Sequence, residues 1–324
     1  MGSIRRFALT DEEMEALPSE EDVLFYREHG WYLSKPLFSD TEIDEVQRSV
    51  DGFYAGHRDR SLPRKPPAVA YWEPRHGDVL RHNDYICYEN ATVQRILCKP
   101  LIGAVAARLM ATPETRLWSS TLIYKPGDRD EPTNIVPWHI DLHHWRVCTS
   151  ENLLTAFIPL HDCGIQHGTL NVIDGSHNWK ELPLEENDDE TQHFADRDAG
   201  TLERALERNA EYNNADLKKV SVAIGKRRVS FHHCRTYHGS GPNLSGEPRR
   251  VVTVRFQDRD NEYREFYRPN GEKAVYNHDG LVRRTRDGRP DYADPEFCPM
   301  VWRDPETAAG ARPAEGMAVA GEGA

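Results

Sequence analysis

The sequence predicts a mainly β protein with N-terminal α-helices, its core a double-stranded β-helix of the jelly-roll, cupin-like kind. Short apolar or alternating segments recur at 117–124, 135–142, 153–160, 169–173, 227–232 and 250–257. The long helical patterns all come before residue 111. With 324 residues, 38% of them hydrophobic, the chain can fill one large domain and its core. Short strands following N-terminal helices suit a closed β architecture whose mouth can hold a metal.

The elements follow in order. Ser19-Glu20-Glu21-Asp22 has the form of a capping box and opens a helix that runs to about His29. Ser39 caps a second helix over 40–54. A third is expected over 91–110, with Ile96, Leu97, Leu101, Ile102, Val105 and Leu109 as its apolar stripe and Pro100 bending it. These helices should pack outside a sheet. The segment from Arg249 to Phe256 alternates valine with polar residues, as a half-buried strand does. Between 178 and 219 the strand pattern breaks into an acidic run at 185–190 and a short helix at 199–209. Such an insertion between strands can be a substrate lid or a solvated surface loop. One domain is expected over 1–305, with 306–324, rich in Ala, Gly and Glu, a disordered tail.

Composition narrows the partners. A formal net charge of −12 opposes nucleic acid, whose phosphates would be repelled, and disfavours a polyanionic substrate such as a CoA thioester. A solvated acidic surface accounts for that charge; a cationic, amino-bearing small molecule is the functional counterpart. No apolar run approaches the ~20 residues a membrane span needs, and no secretion signal opens the chain, so a cytoplasmic location without membrane partners is expected. The six cysteines are scattered without a Cys-x-x-Cys pair, which suits a reducing compartment. Oligomeric state is not encoded in any pattern found.

The motif that carries chemistry is Trp138-His139-Ile140-Asp141. On a strand, residues two apart share a face, so His139 and Asp141 can address one ion. His-x-Asp alone is weak, since about one is expected by chance in a chain this rich in both residues. His57-Arg58-Asp59 lies in a charged run and reads as a solvated turn; His82-Asn83-Asp84 follows a polar stretch and reads as a loop near the substrate. His139-Ile140-Asp141 instead lies between two apolar strand segments. Taken alone, it fits equally a buried core histidine partnered by Asp141. A distal ligand tips the balance: of His232, His233 and His238, His238 is favoured because glycines follow it. An arginine starting the last strand, Arg249 or Arg250, offers a donor fork to a carboxylate. Two imidazoles, one carboxylate and one guanidinium are the set of a non-haem iron(II) site with open positions and an anchor for an acidic co-substrate.

These residues, together with 168–177 (Gly-Thr-Leu-Asn-Val-Ile-Asp-Gly-Ser-His), His238-Gly239-Ser240-Gly241-Pro242-Asn243 and Phe25 to Leu33, resemble the phytanoyl-CoA dioxygenase family of iron(II)/2-oxoglutarate-dependent oxygenases over roughly 20–260. The resemblance implies iron(II) bound by His139, Asp141 and His238, with 2-oxoglutarate and O2 as co-substrates. It implies Arg249 on the far carboxylate of 2-oxoglutarate, with Arg250 as fallback, Ser240 giving that carboxylate a hydroxyl, and Phe157 lining the pocket. Lys125 could reach the site, but a surface turn lysine is the preferred reading. Asp141 argues against halogenation, since the related halogenases carry a small residue there. The implied reaction is hydroxylation, desaturation or oxidative ring closure with release of succinate and CO2, and the acidic charge, with no obvious CoA patch, points to a small polar, amino-bearing metabolite in natural-product (antibiotic) biosynthesis as its substrate.

His143, His144, Trp145 and Arg146 are expected to contact substrate, while Trp72 and Trp118 read as core. If the strand continued, His143 would share the metal face and support a rival, a cupin-like metalloenzyme that does not use 2-oxoglutarate. A catalytically inactive jelly-roll binding module is the third reading.

Overall fold

The computed structural model describes residues 7–67, 70–127, 134–183 and 199–305. The expected tail at 306–324 and the acidic run at 185–190 lie outside them.

Local rules set the N-terminal helices. A short α1 (Asp11–Glu15) precedes α2 (Glu20–His29), where Ser19 and Asp22 form the reciprocal capping box. After β1 (Trp31–Leu33), α3 (Asp40–Tyr54) is capped in the same way by Ser39 and Glu42 and buries Ile43, Val46, Val50 and Phe53. Next come β2 (Arg81–Asp84), a single turn α4 (Ile86–Glu89), α5 (Ala91–Leu97) and α6 (Pro100–Met110). The helix expected over 91–110 is thus two. Pro100 does not bend a continuous helix: without an N–H it begins α6 at the first position, where no intrahelical donor is needed.

The β portion follows as β3 (Glu114–Lys125), β4 (Val136–His139), β5 (Leu153–Pro159) and β6 (Leu170–Ile173). Beyond α7 (Ala199–Tyr212) lie β7 (Lys219–Ser221), β8 (Ser230–His233), β9 (His238–Ser240), β10 (Arg249–Gln257) and β11 (Met300–Arg303). Among the described residues a seven-stranded antiparallel sheet runs β1-β8-β5-β10-β3-β11, with β2 also on β3, and a four-stranded sheet runs β4-β9-β6-β7. This is the double-stranded β-helix expected. Along β10, Val252, Val254 and Phe256 join the core shared with the helices, whereas Val251 joins a smaller cluster with Phe157, Leu170 and Val172 from both sheets. Arg249, Thr253 and Arg255, on the latter face, line the cavity between the sheets.

Two expectations change. The strand at 135–142 ends at His139, and residues 141–144 form a 3₁₀ turn. His82-Asn83-Asp84 is no loop but part of β2, paired with β3 so that His82 opposes Ile123 and Asp84 opposes Thr121. The polar side chains hid a strand because they face a cavity rather than an apolar layer. Helix α7 packs against β4, and none of the described residues of 178–219 lines the main cavity.

Candidate metal centre

Strands β4 and β9 are neighbours, and their pairing sets His139 opposite His238 with ring centroids 4.2 Å apart. That pairing needs a residue without a side chain at 239. A Cβ on Gly239 would stand 2.7 Å from the backbone oxygen of Val136, so the glycine serves strand approach rather than the ligand approach read from sequence. Asp141 arrives from the 3₁₀ turn that stops β4. Among the described residues, His139, Asp141 and His238 offer one ligand atom each, all within 4.8 Å of one another.

Their second contacts orient them. His139 Nδ1 lies 2.8 Å from the Pro137 carbonyl and His238 Nδ1 2.9 Å from the Thr236 carbonyl, which leaves both Nε2 atoms toward Asp141 Oδ1, at 3.9 and 3.8 Å. The other oxygen, Oδ2, accepts a hydrogen bond from Thr155 Oγ1 at 2.6 Å and lies 3.7 Å from His232 Nε2. One oxygen therefore faces the histidines and the other is tied back, an arrangement that favours one carboxylate ligand atom instead of two. Burial holds His139 well below the usual histidine pKa, assisted by His238, and pushes His238 down to about 4, assisted by His232. Burial acts in the opposite sense on Asp141, but His238, His232 and Arg255 outweigh it and keep the carboxyl well below its ordinary range. Neutral imidazoles and an ionised carboxylate are the protonation states a divalent ion requires, so the donor set fits one.

His143, the third local ligand of the cupin-like alternative, is buried in the 3₁₀ turn and stands outside this group. His232 lines the cavity beside Asp141, and His233 is on the same strand but is not among the lining residues.

The phytanoyl-CoA dioxygenase (PhyH) family profile matches residues 26–251 of the 324. The chain belongs to the phytanoyl-CoA dioxygenase family. As such it is a 2-oxoglutarate-dependent non-haem iron dioxygenase, working with iron(II), 2-oxoglutarate and O2. It is similar to the ectoine dioxygenase of Bordetella parapertussis, 26% identical over 254 residues that cover 75% of this chain and 76% of that one. The peroxisomal phytanoyl-CoA dioxygenase of Rattus norvegicus is 25% identical, covering 76% and 70%. Among solved structures, the non-haem α-ketoglutarate-dependent epimerase SnoN from nogalamycin biosynthesis shares the fold, with a TM-score of 0.62 at 22% identity over 88% of this chain and 98% of that one.

In this dioxygenase the cavity beside the metal group has a volume of about 370 Å³, within the range of small-molecule sites. At one end sits Arg249, fully buried, its Nη1 donating to the Gly168 carbonyl and its guanidinium 5.7 Å from the Phe157 ring. Lys125 corrects the sequence reading. It is not a surface turn residue but fully buried, directly opposite Arg249 in the β3–β10 register. Its Nζ donates to Ser240 Oγ at 2.7 Å, to the Gly241 carbonyl at 2.6 Å and to the Ser240 carbonyl at 3.1 Å. Pro126 and Gly127 signalled a turn, and only the non-local register carries the lysine inside. Burial, then the neighbouring Arg249, holds Lys125 well below the usual lysine range, and burial pushes Arg249 down to about 10. Among the described residues neither cation has a carboxylate partner, and Arg249 Nε is enclosed without a hydrogen bond. Two buried cations side by side favour an anionic ligand.

Arg250, the fallback, points elsewhere and pairs with Asp51 at 3.1 Å. His143, His144, Trp145 and Arg146 all line the cavity, Arg146 held by Glu181 at 2.8 Å. Trp118 is fully buried, stacked on Tyr276, and Trp72 is enclosed beneath Arg81. Sequence reasoning missed Thr155 and Arg255, each two residues from a recognised position or another cavity-facing one along its strand; period-two counting from Phe157 and Arg249 would have found both. Among the described residues no helix is long and apolar enough to cross a membrane.

Proposed function

We propose that this enzyme oxidises a small polar, amino-bearing metabolite in natural-product tailoring, by hydroxylation, desaturation or oxidative ring closure, with release of succinate and CO2. In this reading His139, Asp141 and His238 hold iron(II), which supplies the oxidising chemistry when O2 and 2-oxoglutarate are present. Arg249 pairs with the far carboxylate of 2-oxoglutarate. Lys125 adds a second positive charge and orients Ser240, whose oxygen takes the lysine proton donor and whose own O–H stays available to the same carboxylate. Phe157 closes the wall. His143, His144, Trp145 and Arg146 form the substrate side.

The observation that carries the reading is the buried Arg249, without a carboxylate partner among the described residues, in the same cavity as the three metal-binding side chains and backed by Lys125 through Ser240. A dicarboxylate chelating the ion and ending at Arg249 satisfies both. Tailoring is supported by the likeness to the epimerase from nogalamycin biosynthesis, and a cytosolic location by six free cysteines. One domain over 1–305 carries the whole site, and any lid in 178–219 would have to draw on residues other than α7.

The test is anaerobic addition of iron(II) and 2-oxoglutarate, read by the weak visible metal-to-ligand charge-transfer band. The band should vanish in His139→Ala and require at least tenfold more 2-oxoglutarate in Arg249→Ala. Bound iron without a band would overturn the 2-oxoglutarate role, and absence of iron binding would overturn the metal assignment.

A further inference from the structure

Beyond the metal group the cavity holds a second polar centre. Thr121, on β3, donates through Oγ1 to Asp84 Oδ1 at 2.7 Å and accepts from Arg255 Nη1. A carboxylate and a guanidinium thus flank one hydroxyl, separated by roughly two hydrogen-bond lengths, about 5–6 Å. Asp84, Thr121 and Arg255 all line the cavity, and Arg255 Nε is enclosed without a hydrogen bond. This centre is remote from the co-substrate anchor. Arg255 lies six residues along β10 from Arg249, about 20 Å between backbone positions at the usual ~3.3 Å rise per residue. The metal group adjoins this centre, because β5 pairs Thr155 with Arg255 and Thr155 holds Asp141.

We propose that Asp84, Thr121 and Arg255 form the subsite for the head group of the substrate, and that this head is zwitterionic: an α-amino acid, its ammonium on Asp84 and its carboxylate on Arg255. The assignment rests on the oxygenase reading above and supplies its substrate class. A purely anionic head would meet Asp84 and a purely cationic one Arg255, so either is penalised by a like charge in a partly dry cavity. Apart from Arg249, assigned to the co-substrate, the other arginines of the lining have acidic partners, Arg146 in Glu181 and Arg268 in Glu272. The side chain of that amino acid would meet a partly apolar wall. Phe266, Ala274 and Val275 line the same cavity, on a hairpin tied by Tyr267 and Lys273. That hairpin lies past residue 251, where the family match ends. The part of the wall that this chain does not draw from the family segment is therefore the part that would read the side chain.

The experiment titrates L-leucine and L-phenylalanine, each beside its methyl ester and its N-acetyl derivative, into the protein loaded anaerobically with iron(II) and 2-oxoglutarate. Binding is read as perturbation of the charge-transfer band and, in the metal-free protein, as a shift in melting temperature. Expected is at least tenfold weaker binding when either charge is masked. Arg255→Gln should abolish discrimination against the ester and Asp84→Asn discrimination against the acetyl compound. Equal binding of masked and free forms, or no binding of the free amino acids at millimolar concentration, overturns the subsite. The comparison in the unaltered protein decides this even if a variant folds poorly. Absence of the band before any amino acid is added is a failure of the oxygenase reading instead.

Discussion

Replacing Thr155 by valine isolates one contact at the centre of the metal site. Thr155 Oγ1 gives Asp141 Oδ2 a hydrogen bond of 2.6 Å, and the two residues are 2% and 4% exposed. Valine keeps the branched shape, so neither cavity nor clash is introduced, and the change is confined to one donor. A hydrogen bond to a charged acceptor contributes about 1.5–3 kcal/mol. At ~1.4 kcal/mol per decade this corresponds to a ten- to hundredfold loss if it acts wholly on the metal-bound state. Part of it also acts on the metal-free protein, whose buried carboxylate loses the same donor. With Oδ2 released, the carboxylate can turn and offer both oxygens, removing an open position on the ion. Thr155→Val should therefore bind iron(II) about ten- to a hundredfold more weakly, in line with other outer contacts of metal ligands. Thr155→Ser, which retains the hydroxyl, should stay within a few-fold of the parent. Anaerobic calorimetric titration with iron(II), with cobalt(II) as an oxygen-insensitive substitute, measures both. Affinity of Thr155→Val within twofold of the parent would refute the idea that this hydroxyl holds the carboxylate to a single ligand oxygen.

Other outcomes follow from the same geometry. Lys125→Met should raise the 2-oxoglutarate concentration needed for half-development of the charge-transfer band by tenfold or more while changing metal-free stability little, because removing a buried cation offsets the hydrogen bonds lost; an unchanged requirement would remove Lys125 from the anchor. Gly239→Ala should cost about 1–3 kcal/mol in urea unfolding and weaken metal binding, since β4 and β9 must separate; parent-like values would contradict the close approach at Val136. The metal-free protein should lose stability as pH falls below about 6.5. Burial pushes His233 and His278 down to about 3, so between those limits the unfolded chain takes up protons that the folded chain refuses. The sign is loss on acidification, with a slope of ~1.4 kcal/mol per pH unit for each such histidine once the pH is well below 6.5. Urea midpoints across that window test it, and a flat profile would show these rings to be solvated.

What could be read from sequence divides along locality. The capping box at Ser19 and the cap at Ser39 act within four residues and placed both helices correctly. His139, Asp141 and His238 were picked out by the spacing of the first two and the glycines after the third, although Asp141 lies in the turn after the strand and Gly239 serves strand approach. Lys125 was not, because its neighbours Pro126 and Gly127 describe the backbone while the register with Arg249, more than a hundred residues on, decides where the side chain goes. Asp84 was obscured for the same reason: β2 carries polar residues because a cavity, not an apolar layer, faces it. Pro100 was weighed as a bend, although proline is better tolerated at the start of a helix than inside one.

The neighbouring cations at Lys125 and Arg249 have a bearing on how long the protein lasts. A folded chain that buries the Arg249 charge, with a lysine beside it that burial pushes toward its neutral form, sits closer to unfolding than its packing alone would place it. A dicarboxylate that neutralises that charge binds the folded chain and not the unfolded one. Occupancy at a hundred times the dissociation constant would deepen stability by about 2.7 kcal/mol, and the unfolded fraction open to proteolysis would shrink roughly a hundredfold. The abundance of this protein in a cell would then rise and fall with the pool of its own co-substrate, by mass action alone and with no dedicated regulator.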